Sequence, residues 1–291
     1  MRILITGGSG LLGANVAKDL SSKHEVFATH FDKSPISISN VKFMKLDVSD
    51  QKHVNEVTQK VSPELVIHAA ALVDSKFCEQ NKKEAYSVNV VGTGNVAEAA
   101  EKVNAKMVYL STGFVFDGKK GMYKEEDGPN PLSYYSKTKL YGEREMQKFP
   151  GQLVFRTDIY GWNIQSKSSF AEWVIGSLRR KQEINLYSNI FFSPILANDL
   201  SEIFVKAAEK GLKGVFHVAG SERASRLGFA EQAADVFGLD KGFINPVMHS
   251  DPLLPADTSL DCSRIEEALK IRLPNIKEGL LRMKKLEGSL K

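Results

Sequence analysis

Short apolar runs alternate with amphipathic stretches through the first 160 residues of the chain. Arg2-Ile3-Leu4-Ile5-Thr6 opens the pattern, and Ala14, Val16, Ala17 and Leu20 then recur at helical spacing. Similar strand-like runs fall at residues 25–29, 41–46, 65–68, 107–111 and 153–156. Helical stretches fall at 85–101 and 133–149, the second stopped by Pro150-Gly151. Leu65-Val66-Ile67-His68 is a continuous run leading into Ala69-Ala70-Ala71, and a run without alternation fits a parallel strand covered on both faces. His68, inside it, reads as a satisfied core histidine ahead of a catalyst. Strand–helix alternation of this kind predicts an α/β chain with a doubly wound, mostly parallel sheet and right-handed crossovers.

After Tyr160 the rhythm changes. The pattern predicts a helix at 170–180, a short strand at 184–186, an apolar run at 191–195 and a helix reaching Lys210, capped by Asn198 or Asp199. A strand and turn follow at 214–220, then a helix at 229–237 ended by Gly238. Residues 1–160 are therefore expected to form one domain, and 161–291 a smaller C-terminal lobe partly interleaved with the sheet.

The strongest local signal is the turn between the first strand and helix, Gly7-Gly8-Ser9-Gly10-Leu11-Leu12-Gly13. In a strand–turn–helix setting such glycines mark a dinucleotide site of the Rossmann kind. They permit a tight turn, close approach of backbone to pyrophosphate, and close helix packing. The phosphates then rest on free N–H groups at the positive helix end. Two registers remain open. Gly8, Gly10 and Gly13 fit GxGxxG, whereas Gly7, Gly10 and Gly13 fit GxxGxxG, which Thr6 and the early strand end favour. Gly7, Gly10, Leu11, Leu12 and Gly13 are thus candidate cofactor contacts.

The strand at 25–29 should end near the adenosine ribose, where an NAD site usually carries a carboxylate. Thr29-His30-Phe31 occupy that place, with Asp32 slightly late and Lys33 beside it. The arrangement favours NADP, and an Asp32 that folds back leaves NAD possible. Asp47-Val48 ends the next strand, where a carboxylate can meet an adenine amino group; a surface turn with Asp50 as a helix cap is the equal alternative. Ala69, Ala70 and Ala71 leave room at the carboxyl end of their strand, where ligands of open α/β sheets bind.

Tyr135 and Lys139 lie four residues apart on a predicted helix and so share a face. An ammonium beside a phenol favours the phenolate and predicts a Tyr135 pKa below the usual ~10. Thr112, with Ser111 before it, ends the preceding strand and can hold a carbonyl oxygen while Tyr135 moves a proton. Alone, the pair more often marks a solvated helix face; the glycine turn makes it a reaction site. Tyr134 competes as the phenol, but Thr138, four residues on, cannot serve as the lysine.

A hydrophobic content of 42% and a charged content of 25% are ordinary for a globular chain of 291 residues. The net charge of +4 is spread out, which suits phosphorylated small molecules and gives no case for nucleic acid. Cys78 and Cys262 have no metal-like or redox spacing. No apolar run approaches the ~20 residues that span a membrane. With a first strand at residue 2, the expectation is a cytoplasmic protein without a leader.

In order and spacing, these motifs resemble the extended short-chain dehydrogenase/reductase family over nearly the whole chain. Within it, Ser111-Thr112-Gly113-Phe114-Val115-Phe116-Asp117-Gly118, Tyr123 with Glu125, Phe216-His217-Val218-Ala219-Gly220, Thr258-Ser259-Leu260-Asp261 and Val73-Asp74 look like the dTDP-4-dehydrorhamnose reductase branch. The resemblance implies reduction of a 4-keto sugar nucleotide by NAD(P)H, with Tyr135 protonating the oxygen, Thr112 bonding it and Lys139 holding the nicotinamide ribose. Val73, Asp74, Phe114, Trp162 and Asn163 would face the substrate, with Phe170 and Arg223 on the same side.

Three departures leave the sugar and nucleotide open. Gly113-Phe114 replaces the branch's usual Asp-Tyr, Arg156-Thr157-Asp158-Ile159-Tyr160-Gly161 lacks its tryptophan, and Leu254-Pro255-Ala256 stands where Arg-Pro is usual. The acidic residues with which some members bind magnesium have no counterpart, so no metal is expected. A nucleotide sugar is the expected partner, and a homodimer is admitted. A sugar-nucleotide epimerase is the alternative enzyme, whereas Gly113-Phe114 lacks the acid/base pair that a dehydratase needs. A non-catalytic NADP-binding subunit, like the regulatory subunit of methionine adenosyltransferase, is the alternative of another class.

Overall fold

The computed structural model describes residues 1–31, 37–149, 151–164, 168–251 and 254–289. Asp32, Lys33 and Pro150, each given a role above, lie outside the described residues. The chain runs through β1 (Arg2–Thr6), α1 (Leu11–Leu20), β2 (Glu25–His30), β3 (Val41–Lys45), α2 (Gln51–Val61) and β4 (Leu65–His68). Short helices α3 (Ser75–Gln80) and α4 (Lys82–Tyr86) lead through a π-turn at Ser87–Val91 into α5 (Gly92–Lys102). Next come β5 (Lys106–Thr112), α6 (Tyr134–Gln147) and β6 (Leu153–Tyr160).

The second part contains α7 (Phe170–Arg179), β7 (Ile184–Tyr187), β8 (Phe191–Phe192), β9 (Pro194–Leu196) and α8 (Ser201–Glu209). It ends with β10 (Gly214–His217), β11 (Ala224–Ser225), α9 (Arg226–Phe237), β12 (Ile244–Val247), α10 (Ser263–Leu269) and α11 (Ile276–Lys285). The sheet order is β10-β6-β5-β4-β1-β2-β3, with β9 also along β6, and every pairing in it is parallel. This is the expected doubly wound α/β fold.

The continuous apolar strands are explained by two separate cores. Ile3, Ile5, Leu65, Ile67, Val108 and Phe155 pack with Val16 and Leu20 of α1 and Phe204 of α8. Their alternate neighbours Leu4, Val66, Met107 and Val154 pack on the other face with Val54 of α2 and Val96 of α5. Successive residues of a strand point to opposite faces, so burial on both sides removes the polar alternation. Each such aliphatic side chain contributes about 1.5–3 kcal/mol when fully buried. A third core, centred on Phe229 of α9, joins α7, α9 and α11.

Two expectations are corrected. The single helix over 85–101 is interrupted by the π-turn. There Asn89 gives its Nδ2 to the Leu72 carbonyl and the Thr138 hydroxyl, each at 2.9 Å, and accepts the Leu72 N–H at 2.8 Å. The widened turn lets one side chain tie the segment after β4 to α6. Neither Asn198 nor Asp199 caps α8, because a 3-10 turn over Ala197–Leu200 precedes it. Asn198 donates to Asp19 at 3.0 Å, and Asp199 pairs with Arg282.

Candidate active site

The carboxyl ends of β1, β4, β5 and β6 border one cavity of about 420 Å³. Helix α1 starts at Gly10 without a side-chain cap, and its first-turn residues Leu11, Leu12 and Gly13 line the cavity. A Cβ at Gly13 would lie 2.3 Å from the Gly7 carbonyl oxygen, so only glycine lets α1 pack onto the turn. Gly7, Gly10 and Gly13 line the cavity, whereas Gly8 lies against Ala28 of β2. Open donors at a positive helix end, with no side chain in front, fit the phosphates of a dinucleotide. Ala69 and Ala71 line the cavity beside them.

Thr112, Tyr135 and Lys139 line the same cavity, with Val73 and Phe114. Ser133 caps α6 by accepting the Ser136 N–H at 3.2 Å. A Cβ at Gly142 would lie 2.3 Å from the Tyr109 hydroxyl, so glycine brings α6 against β5. Thr112 lies close enough to Tyr135 to act on its hydroxyl. The Lys139 Nζ sits 4.2 Å from the centroid of the Tyr109 ring.

The expected direction of the Tyr135 pKa is reversed. Burial, followed by the Asp158 carboxylate, holds the hydroxyl above its usual value, and the Thr112 bond only opposes this. Lys139 is not among the groups that move it. The lysine's own pKa is pushed down to about 7 by burial, with Glu143 opposing. Desolvation thus overrides the pairwise attraction inferred from spacing.

Thr157, Asp158, Phe192 and Arg226 also line it; the first two belong to the departing segment 156–161, whereas Phe192 and Arg226 were not singled out for the site from the sequence. The Thr157 Oγ1 and Asp158 Oδ2 have no hydrogen-bond partner and no solvent access. Burial raises Asp158 to about 7, with Arg226 opposing. The signals for Asp158 were its place at the carboxyl end of β6 and the departure of residues 156–161 from the resembled branch; Arg226, far along the chain, carried none.

The sign of the resulting pH effect is definite. A folded pKa raised from 3.8 to about 7 gives stability that is full below 3.8 and lost as pH rises through 7. Asp158→Asn removes that loss. Its melting temperature should rise relative to wild type between pH 4 and 8, reaching a gain of roughly 2–4 °C. A constant difference across that range would contradict the raised pKa.

The other candidates lie outside the lining of this cavity. Thr29 accepts the Gly8 N–H through its carbonyl at 2.7 Å, and the Nδ1 of His30 is buried without a partner. Asp47 binds the Ser49 N–H and hydroxyl at 2.9 and 2.7 Å, while Asp50 caps α2. Val48 packs against Gly92, and the Ala70 N–H reaches Thr6. Asp74 caps α3. Trp162 donates its indole N–H to Met283 at 2.7 Å, and the Asn163 N–H bonds Glu172. Phe170 lies in the aromatic cluster of the second lobe, and Arg223 pairs with Asp257 at 2.7 Å. His68 bonds Thr6 at 2.6 Å and Thr93 at 3.2 Å; burial holds it neutral by lowering its pKa to about 3. Among the described residues, no helix is long and apolar enough to cross a membrane.

Fold and site together define an extended short-chain dehydrogenase/reductase. The model of the family described as RmlD substrate binding domain matches residues 1–287, and the chain belongs to that family. It is similar to a hypothetical dTDP-4-dehydrorhamnose reductase from Sulfolobus tokodaii, at 33% identity and a TM-score of 0.83 over 94% of this chain and 97% of that one. The dTDP-4-dehydrorhamnose reductase of Bacillus anthracis, solved in complex with NADP, is 25% identical with a TM-score of 0.85, covering 98% and 97% of the two chains. Methionine adenosyltransferase 2 subunit beta of Bos taurus is 30% identical over 279 residues, 91% of this chain and 81% of the relative.

Proposed function

We propose that the protein is an NAD(P)H-dependent reductase of a nucleotide-linked 4-keto sugar. The observation that carries this reading is the shared cavity: Thr112, Tyr135 and Lys139 line it together with the uncapped start of α1. The chemistry supplied by a bound nicotinamide is hydride delivery to the carbonyl carbon. The first turn of α1 holds the phosphates, and Lys139 bonds the nicotinamide ribose. Thr112 donates to the carbonyl oxygen while Tyr135 gives it a proton. A phenol held above its usual pKa keeps that proton through neutral pH, as an acid in the reducing direction needs.

NADP is favoured over NAD because Thr29 and His30 put no carboxylate at the end of β2. The Bacillus anthracis relative, which holds NADP, points the same way. In this reading residues 1–160 hold the cofactor and 161–291 the sugar, in a cytoplasmic setting where Cys78 and Cys262 stay as free thiols.

The likeness to methionine adenosyltransferase 2 subunit beta supports a second reading, a non-catalytic NADP-binding partner. NADPH oxidation across a panel of 4-keto sugar nucleotides separates the two. Turnover with at least one substrate is expected, faster with NADPH than with NADH. Tight NADPH binding without oxidation on any substrate would reject the reductase and favour the regulator.

A further inference from the structure

We propose that Asp158 and Arg226 read the sugar, gripping a neutral hydroxyl on the carbon next to the reacting carbonyl. This rests on the reductase reading and adds the residues that choose its substrate.

The placement comes first. Asp158 lies near the end of β6 and lines the cavity that holds Tyr135, close enough for its charge to act on the phenol. Its Oδ2 is closed to solvent and unpartnered, although the residue as a whole is only half-buried because it borders the cavity. A carboxylate oxygen in that state carries a desolvation cost that a donor would relieve. A ligand in the cavity meets the part of the side chain that borders it, while the Oδ2 is turned towards Gly113.

Two of the departures from the resembled branch meet at this point. A Cβ at Gly113 would lie 2.9 Å from the Asp158 Oδ2. The carboxylate missing from position 113 is therefore replaced by one entering from the adjacent strand, and the missing side chain at Gly113 leaves it room.

Arg226 opens α9 and lines the same cavity. Its guanidinium lies 3.8 Å from the centroid of the Phe192 ring and 4.8 Å from that of Phe170. The two rings hold the guanidinium from two sides, and its N–H groups are the recognising surface it offers to the cavity. Asp158 and Arg226 influence each other electrostatically, yet they close no ion pair among those of the described residues. The group that spans them must donate to a carboxylate and accept from a guanidinium. A hydroxyl does both, whereas a phosphate or carboxylate would be repelled by Asp158 and an ammonium by Arg226. Since Tyr135 attends the carbonyl oxygen, the hydroxyl beside Asp158 belongs to a neighbouring ring carbon.

Calorimetry on the NADP⁺-loaded protein tests this without turnover, using dTDP-glucose, UDP-glucose and their 3-deoxy counterparts. Wild type should bind the hydroxyl-bearing member of a pair about 10–100-fold tighter, the range of a hydrogen bond to a charged group. Asp158→Asn should shrink the gap below about threefold by weakening only the hydroxyl-bearing ligand, and Arg226→Gln should act likewise. Unchanged NADP⁺ affinity serves as the folding control. Equal weakening of both ligands, equal binding of both by wild type, or no binding of any of the four would each overturn the proposal. Retained discrimination with no NADPH oxidation would instead reject the reductase reading and leave Asp158 and Arg226 as sugar-binding residues.

Discussion

Tyr135→Phe should lower turnover by about 10²–10⁴-fold, the usual worth of a positioned general acid, and leave NADPH affinity nearly unchanged. The substitution removes one oxygen from a side chain whose ring stays in place, so the cavity keeps its shape. What is lost is the proton source and the bond to Thr112. Stopped-flow NADPH oxidation measures the first effect and fluorescence titration the second. Tyr134→Phe is the control, because that phenol does not line the cavity. Retention of most activity by Tyr135→Phe, or its loss with Tyr134→Phe, would reject the assignment. Thr112→Val should show a smaller fall, since it removes a hydrogen bond to the oxygen and no proton.

The largest loss of stability should follow Arg156→Met. Arg156 and Glu143 form a two-pronged ion pair at 3.0 and 2.7 Å, with side chains only 5% and 3% exposed. Ser111 donates to the same carboxylate at 2.5 Å, and the Arg156 guanidinium lies 5.0 Å from the Phe116 ring. His217 gives the arrangement a definite tautomer. Its Nδ1 faces the Tyr123 carbonyl at 2.9 Å and so must donate, which leaves Nε2 to accept from Arg156 at 3.3 Å. Burial, then Arg156, keeps this imidazole neutral by lowering its pKa to about 4.

Removing one member leaves a buried charge without its partner, at a cost of about 3–5 kcal/mol. For a chain of this size the melting temperature should fall by roughly 10 °C. The double variant Arg156→Met/Glu143→Leu should recover much of the loss, because the stranded carboxylate goes too. A single variant as stable as wild type, or a double variant worse than either single, would show that the pair is not held as described.

The features legible in the sequence were those set by local spacing. The β4 run had no polar alternation because both its faces are covered, and its predicted limits match the strand. Gly238 ends α9 in a left-handed conformation, as its place after an apolar helix suggested. The glycine turn, Thr112, Tyr135 and Lys139 each sit in a strand–turn–helix context that the sequence displays.

What it did not display depends on residues brought from elsewhere. Nothing near Tyr135 announces that Asp158 lies close by, so the sign of the pKa shift was inferred from the one charge in view. Desolvation is a property of the assembled cavity: it dominates at Tyr135, and for Lys139 it outweighs the Glu143 carboxylate. Trp162, expected on the substrate side, is anchored to Met283 by a bond that no motif encodes.

Strand β6 is shared property. After β6 the chain leaves the sheet to build α7, then returns twice, laying β9 and β10 alongside the strand it left. A lobe stitched back in this way cannot swing on a single hinge without tearing parallel ladders. Asp158 itself is paired in register with Pro194 of the returning strand. Closure over a ligand would therefore fall to side chains and surface loops, with the cavity wall carried by β6 braced by the two strands laid beside it.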